Sequence, residues 1–192
     1  MAAPDGYDRS VGEPRQLPDG TSMHELTCIG DERGMIVELD RQSWHPDQTA
    51  QQWTLSQSAP GVLRGPHLHK QHADHLVVIE GEYVIGLVDV RRDSATAGLR
   101  SSFTLPPFHV LTIPAGVVHG FFAAVKVTSL NATSHEFDPS DDLEVRYDDP
   151  DLGIQWAIAT PLLSARDRDA PGMAAFLGSC AAAGLRVIDP PR

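Results

Sequence analysis

Apolar and polar residues alternate along this chain in short runs of about five to eight, the period of a half-buried strand, with turn residues between the runs. Residues 23–29 read as a strand, Gly30-Asp31-Glu32-Arg33-Gly34 as a turn and residues 35–39 as the return, together a first hairpin. Residues 51–55 form a short strand that leads through residues 56–60 into a histidine-rich stretch. Residues 75–91 are rich in β-branched side chains and broken at Glu80-Gly81-Glu82, which predicts a second hairpin. A strand over residues 109–113, a turn at Pro114-Ala115-Gly116 and a returning strand over residues 119–130 predict a third. Residues 91–98 are a turn-rich connection, and residues 102–105 a strand that Pro106-Pro107 ends. Acidic loops follow Thr133, and residues 173–183 suit a short helix closed by Gly184. Residues 1–21 read as a loose leader and residues 22–192 as one domain, all-β apart from the C-terminal helix.

Composition narrows the range of functions. The chain of 192 residues carries a formal net charge of −11, which opposes binding to nucleic acid or an anionic membrane, since phosphates are held by clustered Lys and Arg. A small anionic ligand needs only a few arginines focused locally, and Arg33 and Arg64 are candidates. No run approaches the ~18 apolar residues of a membrane span, and residues 1–9 lack the layout of a secretory signal, so a cytoplasmic location is expected. Cys28 and Cys180 stand far apart without metal or redox spacing, so reduced thiols are expected.

The candidate chemistry concentrates in residues 61–75, where His67, His69, His72 and His75 fall close together with Arg64 ahead of them and Asp74 among them. In an extended segment, side chains two apart share a face, so His67 and His69 point to one side and Leu68 to the other. Two imidazoles then face one cavity, as in the mouth of a small β-barrel. A solvated histidine-rich loop is the plain alternative.

Further signposts come in a set order: Gly30-Asp31-Glu32-Arg33-Gly34 with Glu38, Gly61-Val62-Leu63-Arg64-Gly65 with His67, Val88-Asp89-Val90-Arg91 with Ser94, Ile113-Pro114-Ala115-Gly116 with His119-Gly120-Phe121, Asp148-Asp149-Pro150 with Ile154-Gln155-Trp156, and Leu163-Ser164 with Asp167. With them the chain resembles the cupin sugar-nucleotide epimerases, the dTDP-4-dehydrorhamnose 3,5-epimerase family, over residues 30–172. The resemblance implies a cupin double-stranded β-helix (jelly-roll) barrel, and a homodimer whose N-terminal strands cross to the partner. It also implies an isomerase or epimerase that acts on an NDP-4-keto-6-deoxyhexose, a dTDP-sugar, by taking a proton next to the ketone, with no cofactor. By position His67 matches the base and Asp167 its orienting acid; a carboxylate bonded to imidazole fixes its tautomer and favours the cation formed on proton capture. Arg33, Glu38, Gln52, Arg64, His119 and Asn131 fall where the family places groups around nucleotide and sugar.

The departures are as informative. The family's lysine falls on Asp74, its tyrosine on Asn131, and an aspartate that partners the lysine on Ile85. A carboxylate opposes a forming enolate, and an amide cannot deliver a proton as a phenol does. His67-x-His69 with Asp74, then Pro114-x-Gly116-x-x-His119, resembles the metal-binding cupin pattern with Asp where Glu is usual. A divalent transition metal on His67, His69, Asp74 and His119 is therefore the alternative cofactor expectation. Three other readings stay open: a metal-dependent cupin enzyme, a ketosugar 3,4-ketoisomerase using two histidines, and a non-catalytic sugar-nucleotide-binding relative.

Overall fold

A computed structural model of the chain describes residues 16–44, 49–156, 158 and 160–190. The β-branched runs form β1 (Ser22–Glu25), β2 (Cys28–Asp31), β3 (Gly34–Val37), β4 (Gln52–Ser58), β5 (Leu63–His69), β6 (Asp74–Glu80), β7 (Tyr83–Asp89) and β8 (Arg100–Leu105). They continue with β9 (His109–Ile113), β10 (Val117–Ala123), β11 (Val127–Thr133) and β12 (Asp142–Glu144), followed by helices α1 (Ala165–Arg168) and α2 (Met173–Ala182). Residues 1–15 of the expected leader lie outside the described residues, and Leu17 of its remainder packs against the core.

Ten strands form two antiparallel sheets, one in the order β1-β9-β6-β11-β4 and the other β12-β5-β10-β7-β8. The sheets face each other across a shared core that joins Leu76 and Val78 of one to Ile85, Leu87, Phe103 and Phe121 of the other. Among the described residues, no helix is long and apolar enough to cross a membrane.

The pairing corrects the expected hairpins. β1 leaves the first hairpin and pairs with β9, so only β2 and β3 pair with each other there. β6 and β7 do not pair either: β6 lies between β9 and β11, and β7 between β10 and β8. The turn at Gly81 carries the chain from one sheet to the other, and so does the turn at Gly116 between β9 and β10. The single returning strand expected over residues 119–130 is two strands in opposite sheets, β10 and β11. Adjacent runs that cross between sheets rather than fold back within one make a jelly roll, the cupin architecture.

Burial explains why strand pairing was hard to read. α2 covers the outer face of the second sheet, packing Met173, Phe176, Leu177 and Cys180 against Leu68, Val88 and Val118. Both faces of β7 and β10 are thereby enclosed, and every residue of both strands is buried. Enclosure raises the thiol pKa of Cys180 to about 11, which leaves it an inert core residue, while Cys28 is exposed.

Candidate functional site

β5 has the alternation that the sequence implies. Leu68 is fully buried beneath α2, while His67 and His69 turn to the opposite face and line a cavity of about 490 Å³. β5 bulges where it meets β10: His119 sits opposite His67, but Phe121 sits opposite Arg64, so one extra β5 residue is accommodated. Gly65 permits this, because its φ is +74° and a Cβ there would lie 2.8 Å from His67 Nδ1 and 2.9 Å from His119 O.

The bulge gathers the imidazoles. The rings of His67 and His119 are 4.5 Å apart, those of His67 and His69 4.7 Å, and His72 stacks on His69 at 3.7 Å. Asp74, buried at the start of β6, lies at their centre. Its Oδ2 is 3.2 Å from His69 Nε2 and 3.1 Å from His119 Nε2, and its Oδ1 accepts from Asn131 Nδ2 at 2.9 Å. Burial opposes its charge, yet His119, His69 and His72 together hold its carboxyl well below the ordinary range.

His67 is the exception among these rings. Among the described residues it makes no hydrogen bond or ion pair, and it opens into the cavity. Burial, with the nearby His119 and His69, pushes its pKa well below the usual imidazole value, so at neutral pH it is an uncharged base. His69 is pushed the other way. Burial lowers it, but contacts with Asp142 and Asp74 outweigh that and raise it to about 9.

Asp142 escaped the sequence reading. It lies on β12, opposite His69 in register, and its Oδ1 is 2.6 Å from His69 Nδ1. Arg166 donates to Asp142 Oδ2 at 2.8 Å and also pairs with Glu144, which holds the short strand against β5. These residues sat in a stretch read as acidic loop, and nothing local marks a strand of three residues. His72 and Asp141, 2.7 Å apart, were missed in the same way.

The cavity brings together Gln52, Arg64, His67, Asn131 and Asp167 of the expected site. The expected pairing of Asp167 with His67 is absent. Asp167 lies in α1, where its amide donates to Ser164 Oγ at 3.1 Å and its carboxylate accepts from Ser164 Oγ at 2.7 Å, so helix capping engages it. His119 does not line the cavity but lies beneath it, 1% exposed. Arg33 and Glu38 are away from the cavity of their own chain: Arg33 is at the exposed β2–β3 turn against Asp31, and Glu38 pairs with Arg41.

A cupin barrel with a histidine base at its mouth fits many chemistries, and comparison with known proteins narrows them. The family model described as dTDP-4-dehydrorhamnose 3,5-epimerase matches residues 16–175. The chain belongs to that family. Its relatives include the dTDP-4-dehydrorhamnose 3,5-epimerase of Streptomyces griseus, 32% identical over 166 residues that cover 81% of this chain and 83% of that protein. The spore coat polysaccharide biosynthesis protein SpsL of Bacillus subtilis is 28% identical over 144 residues, 72% of this chain and 95% of that protein. Among solved structures, dTDP-6-deoxy-D-glucose-3,5-epimerase RmlC of Legionella pneumophila, in complex with dTDP-4-keto-L-rhamnose, superposes with a TM-score of 0.79 at 26% identity, covering 91% of this chain and 96% of that one. The rmlC epimerase of Mycobacterium tuberculosis gives 0.78 at 27%, covering 91% and 94%.

Proposed function

We propose that this protein is an isomerase of a nucleotide-linked 4-keto-6-deoxyhexose, with His67 as the base that removes a proton next to the ketone. One observation carries the reading: His67 is an uncharged, unpartnered imidazole that faces a cavity of about 490 Å³. A proton next to a ketone is acidic because the carbanion is delocalised onto oxygen, and a positioned neutral imidazole is suited to accept it. The nucleotide diphosphate needs positive charge, which Arg64 and Arg166 supply at the cavity wall although the chain carries a net −11. The family and the dTDP-sugar bound to the Legionella relative support the substrate class.

The return of the proton needs a second group. Asn131 cannot protonate the far face of an enolate, and its Nδ2 is committed to Asp74. Among the described residues lining the cavity, Tyr83 is the phenol, with its hydroxyl 2.9 Å from Ser58 Oγ. Exchange at carbon, or inversion at one carbon, is therefore expected in place of full double inversion.

We also infer a homodimer. Ile29, Met35 and Ile36 on the β2–β3 hairpin and Trp53 and Leu55 on edge strand β4 are all exposed, an apolar surface that a second copy would cover. Such a dimer would carry Arg33 and Glu38 toward the partner's cavity.

The test is incubation with dTDP-4-keto-6-deoxyglucose in deuterated water, followed by NMR. Deuterium should enter next to the ketone, and His67→Asn should slow its entry at least ~100-fold with dTDP affinity unchanged. Undiminished uptake in the variant excludes His67 as the base. Migration of the carbonyl to C3 would make the protein a 3,4-ketoisomerase, and tight dTDP binding without any uptake a binding relative.

A further inference from the structure

The buried groups around Asp74 face one another in a way that hydrogen bonding alone does not satisfy. His119 Nδ1 lies 3.0 Å from Val117 O. A carbonyl only accepts, so that nitrogen carries the hydrogen, and Nε2 of the neutral ring presents a bare lone pair. This Nε2 is 3.1 Å from Asp74 Oδ2, in a residue 1% exposed, and has no hydrogen-bond partner. His69 repeats the pattern, with Nδ1 held by Asp142 at 2.6 Å and Nε2 3.2 Å from the same Asp74 oxygen. With both rings neutral, their two lone pairs would face one carboxylate oxygen and repel it. A proton on one ring relieves one contact; a cation between the three atoms relieves both.

The spacing agrees with a cation. Ligand atoms ~2.1 Å from one ion and at right angles to each other stand about 3.0 Å apart, close to both nitrogen–oxygen separations here. Each ring is also fixed from behind on Nδ1, by the Asp142 carboxylate or the Val117 carbonyl, which is how metal-ligating imidazoles are usually held. The other oxygen of Asp74 is occupied by Asn131, so Oδ2 is the one left for the centre.

We propose that His69 Nε2, His119 Nε2 and Asp74 Oδ2 bind one divalent first-row transition metal ion, with His67 beside the site and outside it. His67 offers a ring nitrogen within 4.8 Å of those of His69 and His119, but it makes no close contact with Asp74 as those two rings do, and it is placed outside the set. Two imidazoles and one carboxylate suit such an ion and leave positions open toward the cavity. When bound, the ion would supply positive charge for an enolate oxygen. The metal site stands independently of the proposed isomerase activity, and its test uses no substrate.

Chelator-treated protein is titrated with Co(II) and then Zn(II), reading visible absorbance, bound metal by mass spectrometry and affinity by calorimetry. One ion per chain is expected, and loss of a ligand in Asp74→Asn or His69→Gln should weaken binding roughly 100-fold or more. Asp142→Asn, which leaves all three ligands in place, should weaken it about 10- to 100-fold and covers the case in which a ligand variant fails to fold. His67→Gln should bind Co(II) as the parent does. Wild-type protein that takes up no Co(II) or Zn(II) overturns the site, and a His67→Gln loss as large as that of Asp74→Asn overturns its composition.

Discussion

Asn131 and Asp74 make sense only as a pair. At positions 131 and 74 this chain has an amide and a carboxylate joined by a 2.9 Å hydrogen bond across β11 and β6. The amide steadies one carboxylate oxygen, and the other is left among the histidines. An amide at position 131 delivers no proton, so protonation of the enolate from its far face needs another group, and Tyr83 is the phenol among the described residues lining the cavity. Tyr83→Phe is expected to retain His67-driven deuterium uptake and to lose roughly 100- to 10,000-fold in the rate of inversion, as loss of a general acid does. Chiral analysis of the product alongside NMR separates the two rates. Unchanged inversion would place the acid elsewhere. Asp167 teaches the opposite lesson, since its position in the motif order pointed to His67 while its carboxylate is taken up by Ser164.

At the scale of elements, the paired glycines Gly86 and Gly120 govern how the C-terminal segment lies on the barrel. They face each other across β7 and β10, and a Cβ on either would come within 2.9 Å of Trp156 Cη2. Trp156 therefore rests in a shallow groove made by two missing side chains, with its Nε1 donating to Tyr147 O at 2.9 Å. A methyl at Gly86 would also meet Ile154 Cγ2 at 2.5 Å. Gly86→Ala should destabilise by about 1–3 kcal/mol, the usual cost of overpacking, read as a lower urea midpoint at unchanged slope. A midpoint equal to the parent's would mean that the segment shifts freely and the groove is not a packing constraint. Neither glycine carries a turn signature, so only the approach of residue 156 gives them meaning.

At the scale of the whole molecule, the unpaired apolar hairpin is the feature that a single chain does not resolve. Ile36 is 71% exposed and Ile29 68%, on a two-stranded unit that joins neither main sheet. The proposed dimer would cover both, so sedimentation of the wild type should give a two-chain species and Ile36→Asp a one-chain species. Arg33→Ala and His67→Ala subunits mixed together should then recover activity that neither has alone. A wild type that sediments as one chain excludes the homodimer.

Local pattern determined much of this protein. Apolar runs of strand length located most of the strands and the short helix α2, and alternation through His67, Leu68 and His69 put two imidazoles on one face. Those properties depend on the backbone's own period, which a sequence displays directly. Tertiary structure alone decided which strands pair, because β7 and β10 are buried on both faces and their uniform apolar residues carry no register. It also decided the site's electrostatics. His67 and His69 are near neighbours with identical side chains, yet one is pushed well below the ordinary imidazole pKa and the other up to about 9. Asp142, 73 residues away in the chain, bonds His69 directly and Asp74 contacts the same ring, whereas among the described residues His67 has neither contact and burial governs it. A charge at that sequence distance acts on a ring only after the fold has brought them together.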